Sequence, residues 1–212
     1  VTHTQYYHKQ VYAQLSGPRL SVILDIEPMR QGEEECAAAL RLLTRMREKY
    51  GPRFFDLVVV DAWYTNGPFL TAVVAMGWPV IAVLKQERYD IYQEALALTK
   101  GQSPQETVER DGRKVEVWDL PQMTFTDTYA EPVRVVRVRE TWQQRQRIGG
   151  KWVTQNKEEN WIWVVAGDLA GYVGSAIRDW GHLRWKIENN AFNELTQSWH
   201  LTHSAHHHPV AL

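Results

Sequence analysis

Cysteine is almost absent from these 212 residues. Cys36 stands alone, which excludes an internal disulfide framework and any cysteine-rich zinc site, and suits a reducing compartment. Net charge is nearly absent as well: Lys and Arg total 24 against 25 Asp and Glu, a formal charge of -1. The chain as a whole therefore advertises no nucleic-acid partner, and only local clustering of charge can do so. Long hydrophobic runs are missing too. The longest span a few residues, far short of the roughly 20 that cross a bilayer, and no signal-peptide pattern opens the chain. A soluble, cytoplasmic protein with no membrane partner is the expectation. What is present is ordinary globular composition, 44% hydrophobic and 23% charged, well outside the signature of disorder.

The chain opens on Val1 rather than Met and alternates almost at once, with Tyr7, Lys9, Val11, Ala13 and Leu15 on one side and Tyr6, His8, Gln10, Tyr12 and Gln14 on the other. Strand periodicity from the outset leads us to expect further sequence upstream. Ser16-Gly17-Pro18 marks a turn, and 20–26 is a second strand able to pair with the first as a hairpin. From Glu33 to about Lys49, apolar residues at helical spacing with acidic residues in the first turn predict an amphipathic helix that Gly51-Pro52 stops. Leu57 to Val60 reads as a strand covered on both faces and ends at Asp61. Asn66-Gly67-Pro68 starts a helix running from Phe69 to Met76, and 79–84 is another buried strand. This order gives an α/β core over 1–85. A β-rich insertion follows over 86–160, with turns at Asp111-Gly112 and Gly149-Gly150. The final strand and the longest helical pattern, from Gly171 or Ser175 to about Ser198, fill 161–212.

Charge does cluster locally. Arg134, Arg137, Arg139, Arg145, Arg147 and Lys151 face only Glu140, a local charge of +5, with Trp142 and Trp152 beside them. Basic side chains interleaved with aromatics suit phosphate contact with base stacking, and a solvated sheet face is the plain alternative. Lys85, near Arg88 at the end of the 79–84 strand, is a further candidate phosphate contact. Trp63 is expected to pack. The crowded histidines His200, His203, His206, His207 and His208 read as a frayed tail before Pro209. Nothing in the sequence brings Asp119 or Asp127 to a site.

Two carboxylates stand out. At 100° per residue, Ile177, Gly181, Arg184, Trp185, Ala191, Phe192 and Leu195 cluster around Glu188, while Asp179, His182, Lys186, Asn189 and Asn193 face away. A carboxylate inside an apolar stripe is costly unless it is paired or binds a metal, and Arg184, one turn earlier, is the structural partner available. Asp61 ends a strand where open α/β sheets hold ligands, or it caps the next turn. Together Asp61 and Glu188 form a minimal acidic pair for Mg²⁺ or Mn²⁺. Metal-assisted phosphodiester chemistry uses such oxygen ligands, normally with a third carboxylate.

The run Arg184-Trp185-Lys186-Ile187-Glu188-Asn189-Asn190-Ala191-Phe192-Asn193 resembles the final-Glu motif of DDE-type transposases of bacterial insertion sequences, in the group with a β-rich insertion before that Glu. Val58-Val59-Val60-Asp61-Ala62-Trp63-Tyr64 resembles the same group's second-Asp motif. The resemblance implies a ribonuclease-H-like mixed sheet flanked by helices. It further implies Asp61 and Glu188 as catalytic metal ligands, Mg²⁺-dependent DNA cleavage and strand transfer, double-stranded DNA at element ends and target as partner, a homodimer on DNA, and residence at the bacterial nucleoid. Arg184, Lys186, Lys85, Arg134, Arg137, Arg139, Arg145 and Arg147 become the candidate DNA contacts. Two motif positions depart from the group: Gly181 stands where it has Tyr, and Leu195 where it has Lys. On the family's strand order, 4–15 and 20–26 are the second and third strands, Asp25 is not the first Asp, and the opening strand with that Asp is expected before Val1. Such a chain would hold two of three metal ligands. A metal-dependent nuclease of the same fold and a non-catalytic remnant that binds DNA or a partner are the alternatives.

Overall fold

The structure, a computed structural model, describes residues 9–17, 19–85, 87, 89–126 and 128–198. The histidine-rich tail, Arg88 and Asp127 lie outside the described residues. The chain divides into two compact units, one formed by Val1–Gly51 with Leu183–Leu212 and the other by Pro52–His182.

In the first unit, β1 (Gln10–Ser16) and β2 (Ser21–Pro28) pair antiparallel with a register shift after Ala13. The hairpin forms a two-stranded sheet of its own. It had been expected to supply strands of the main sheet. The alternation that identified both strands fixes only which side chains share a face, not which edge they join. Helix α1 (Glu35–Tyr50) buries Ala38, Ala39, Leu42, Leu43 and Met46, and its leucines contribute about 1.5–3 kcal/mol each. Gly51 ends it at φ 82°, a conformation open to glycine without strain. The hairpin and helix are tied by charge: Arg45 Nε donates to Asp25 Oδ2 at 2.8 Å, Arg41 Nε donates to Glu27 Oε1 at 2.9 Å, and Arg41 also grips Glu33. Asp25 is thus an ion-pair partner of α1, its carboxyl held below the usual range chiefly by the Arg45 hydrogen bond.

The second unit is α/β, with a mixed six-stranded sheet flanked by helices. Its strands are β3 (Val58–Val60), β4 (Val80–Val83), β5 (Glu106–Arg110), β6 (Arg113–Met123), β7 (Val133–Ile148) and β8 (Lys151–Ala166), in the spatial order β3-β4-β8-β7-β6-β5. Among the described strands only β3 and β4 pair parallel, and α2 (Gly67–Ala75) connects them, as parallel neighbours require. Asn66 caps α2 by accepting from Phe69 N at 3.0 Å, with Pro68 in the first turn. The strands after α2 continue the sheet that β3 and β4 begin. Two tight turns make this possible: Asp111 and Gly112 have φ 52° and 72°, and Gly149 and Gly150 have φ 55° and 83°, the positive pairs of two-residue hairpins.

Helix α3 (Asp90–Thr99) interrupts the stretch expected to be β-rich. Its signal was in the sequence: Asp90 in the first turn, then Ile91, Ala95 and Thr99 at helical spacing on one face. Ile91 and Ala95 are buried.

Helix α4 (Gly174–Leu183) corrects the long closing helix. A turn at Arg184 ends it, a π-helical segment follows over Ile187–Phe192, and α5 spans Asn193–Gln197. Along this region Trp185, Phe192 and Leu195, expected on the Glu188 side, are half-buried, while Asn189 and Asn193, expected to face away, are exposed. Two carboxylates hold α4 on the sheet. Glu106 Oε1 accepts from Gly174 N at 2.7 Å, completing the helix N-terminus, and Glu140 grips Arg178 and His182 further along. A Cβ on Gly181 would stand 2.3 Å from Trp163 Nε1. Glycine at this position lets the helix backbone meet the indole.

Candidate functional site

Asp61 follows β3 directly. Its Oδ1 accepts from Trp63 N at 2.8 Å, so the carboxylate caps the short 3₁₀ turn Ala62–Tyr64 while Oδ2 stays available. Trp63, expected to pack, is 68% exposed, because the turn that Asp61 caps directs it outward. Beneath this turn Thr65 Oγ1 donates to Val83 O at 2.9 Å, fixing the end of β3 against β4.

Glu188 belongs to the other unit. It lies in the π-helical segment with its side chain 41% exposed, and its Oε1 accepts from Arg184 Nη1 at 2.6 Å. Arg184 is the more buried partner at 12% exposure, and its guanidinium lies 4.6 Å from the Trp185 ring centre. Lys186 Nζ donates to Gly17 O at 2.9 Å. Asp61 and Glu188 are therefore each described within their own unit. Both offer hard oxygen donors suited to Mg²⁺ or Mn²⁺, but among the described residues no group of three or more His, Cys, Asp or Glu side chains is placed to hold a metal ion.

The basic cluster falls on both faces of one hairpin. Side chains alternate along β7, so Arg134 lies on the face opposite Arg137, Arg139, Arg145 and Arg147. Arg134 serves the fold: its Nε donates to Asp119 Oδ1 at 2.8 Å, Nη1 to Leu169 O at 2.9 Å, and Nη2 to Asp119 and to Tyr172 O. On the other face, Arg137 Nη1 donates to Thr99 Oγ1 at 2.6 Å and its guanidinium stacks 4.9 Å from the centre of Trp118. Its Nε is buried with no hydrogen-bond partner. Burial, then the like charge of Arg139, push the Arg137 guanidinium below its usual value. Arg139 pairs with Glu116 at 2.6 Å. Beside these arginines a cleft of about 610 Å³ is lined by Lys85, Tyr92, Glu158, Asn160 and Trp161. Lys85 Nζ lies 5.9 Å from the centre of the Trp161 ring, and farther out Arg145 lies 5.1 Å from that of Trp152.

Among the described residues the most deeply buried carboxylate is Glu140, which the sequence reading weighed only as the lone acid among six bases. At 0% side-chain exposure it accepts from Arg178 Nε at 2.8 Å, Arg113 Nη1 at 2.9 Å and His182 Nε2 at 2.8 Å. Burial raises its pKa, but hydrogen bonds from His182 and Arg178 prevail and hold it at about 2. The signal that could have found it was alternation: Val136, Val138 and Glu140 share one face, and the two valines are fully buried.

Comparison with known protein families and with curated proteins returns no match for this chain. Among the described residues, no helix is long and apolar enough to cross a membrane.

Proposed function

We propose that this chain is the catalytic region of a DDE-type DNA transposase, of ribonuclease-H-like fold, acting on double-stranded DNA. The observation that carries this reading is the position of Asp61 at the carboxyl end of β3, one strand of the parallel pair joined by α2, since ligands in α/β sheets gather at such ends. The motif around Glu188 and the arginine-rich face of β7 support it. Asp61 and Glu188 are the residues that would hold Mg²⁺ or Mn²⁺, which in such sites activates a water or 3′-hydroxyl and stabilises the leaving oxygen. Arg184 orients Glu188 through its Nη1, while Arg137, Arg139 and Lys85 offer donors to DNA phosphates. The site acts in the cytoplasm at the nucleoid, on DNA brought together by a homodimer.

A second reading, DNA binding without cleavage, is favoured by one specific observation: both carboxylates already have protein partners, Asp61 in a cap and Glu188 in an ion pair. Nicking of supercoiled plasmid in Mg²⁺ and in Mn²⁺ separates the two. Because Asp61 and Glu188 supply two of the three ligands the motif requires, the transposase reading expects nicking by protein that also carries the first Asp, abolished there by Asp61→Asn and by Glu188→Gln with DNA binding retained, and joined products with element ends. Nicking that survives both substitutions overturns it. Binding with no nicking in that protein, unsubstituted, selects the second reading.

A further inference from the structure

The hairpin of β7 and β8 is longer than the sheet that holds it. β6 pairs with β7 only as far as Thr141, and β4 with β8 only between Trp163 and Ala166. From the pair Trp142 with Lys157 to the pair Ile148 with Lys151 the two strands have only each other. At roughly 3.4 Å per residue this free ribbon is about 24 Å long. An isolated ribbon is stabilised poorly by its own contacts, and its outer segment covers no core.

Its chemistry is one-sided in charge. Residues 142–157 contain Arg145, Arg147, Lys151 and Lys157 and no Asp or Glu. Cross-strand pairs share a face, so the register places Gln143 opposite Asn156, Arg145 opposite Thr154 and Arg147 opposite Trp152 on one surface. All six are exposed, Trp152 to 61%. Two guanidinium groups thus stand among amide and hydroxyl groups able to reach base edges, beside the Trp152 indole, over which the Arg145 guanidinium lies. The major groove, about 12 Å wide, admits a two-stranded ribbon, and Asn, Gln and Arg are the side chains that read its edges.

We propose that this ribbon is an arm that enters the major groove of double-stranded DNA with the Arg145, Arg147 and Asn156 face toward the bases. The proposal deepens the DNA-acting reading and rests on it for the choice of duplex as partner. Charge also selects DNA over a second copy of the chain, since two such arms side by side would set like charges together.

The test is fluorescence anisotropy with a labelled 30-base-pair duplex across a salt series, comparing the unsubstituted protein with Arg145→Gln/Arg147→Gln and with Asn156→Ala. Sedimentation, plasmid nicking and interference by methylation at guanine N7 are measured in parallel. The double substitution is expected to weaken binding about 10- to 100-fold and to reduce the slope of log affinity against log salt by about 2. Asn156→Ala is expected to relax the preference among duplex sequences, and N7 methylation to interfere. Unchanged melting temperatures exclude misfolding as the cause. Equal affinity and slope in the double variant overturn the proposal, as does a duplex the unsubstituted protein does not bind. A dimer that the double substitution dissociates overturns it in favour of contact between copies. Arm-dependent binding with no nicking leaves the arm standing while the catalytic reading fails. Nicking with arm-independent binding does the reverse.

Discussion

Glu140 and Glu188 are the same side chain in opposite circumstances. Glu140 is sealed from solvent between β7 and α4 and receives Arg113, Arg178 and His182. Glu188 is 41% exposed on a π-helical turn and receives Arg184 alone. A carboxylate surrounded by donors in a closed space stabilises the structure that encloses it. One held loosely at a helix irregularity, where π-turns often mark functional positions, contributes little to stability and keeps an oxygen available. The contrast separates a structural carboxylate from a candidate chemical one, and substitutions that exchange the two behaviours would break it.

The largest effect belongs to Glu140→Gln. Removing the charge leaves Arg178, 7% exposed on its side chain, without its principal counter-ion in the interior, a change that typically costs about 3–5 kcal/mol. Chemical denaturation should show this as a lower midpoint with an unchanged slope. The pH dependence follows from the depressed pKa. Folding lowers the Glu140 pKa from 4.5 to about 2, so its contribution is fully present above about pH 4.5 and is lost as pH falls toward 2. The shift corresponds to about 3 kcal/mol. The stability gap between the unsubstituted protein and Glu140→Gln should therefore narrow across that interval. A gap that stays constant down to pH 2 would contradict the assignment.

Gly181→Ala comes next and tests the same helix from its other contact. The new methyl would meet the Trp163 indole at 2.3 Å, and overpacking of this kind costs about 1–3 kcal/mol. Thermal unfolding measures it. A neutral result would mean that α4 can lift from β8 without penalty, and with it the claim that Glu140 anchors a fixed helix would weaken. Asn66→Ala, which removes the α2 cap, should cost about 1 kcal/mol and shows what an ordinary local loss looks like in the same assay.

How much of this was legible in the sequence depended on how local the cause was. Helix α1 was read to within two residues at each end because its caps and its apolar face are written within one element. β3, β4 and both two-residue turns were legible for the same reason. The separate pairing of β1 with β2, and the continuation of one sheet through β5 to β8, depend on partners distant in sequence, which alternation does not name. At the site, Asp61 was placed correctly at a strand end, with its capping role foreseen as one of two possibilities. Glu188 is less enclosed than a carboxylate within an apolar stripe would be, because the side chains expected around it beyond Arg184 are half-buried rather than core. Glu140 was overlooked because summing charge along a strand hides which face each charge occupies.

Glu188→Gln should have the smallest effect on stability and is the sharpest use of the comparison. An i to i+4 pair with a partly exposed carboxylate contributes about 0.3–0.5 kcal/mol on a helix surface, and glutamine keeps the shape and one hydrogen-bond acceptor for Arg184. The melting temperature should move by a degree or two at most, while Glu140→Gln moves it by many. If Glu188 is the chemical carboxylate, the same substitution abolishes plasmid nicking with DNA affinity unchanged, so the two glutamates would reverse rank between the two assays. A Glu188→Gln protein that unfolds as readily as Glu140→Gln would show that the Arg184 pair anchors the closing segment. The half-exposed carboxylate would then be a structural one, and the case for chemistry at this position would fall with it.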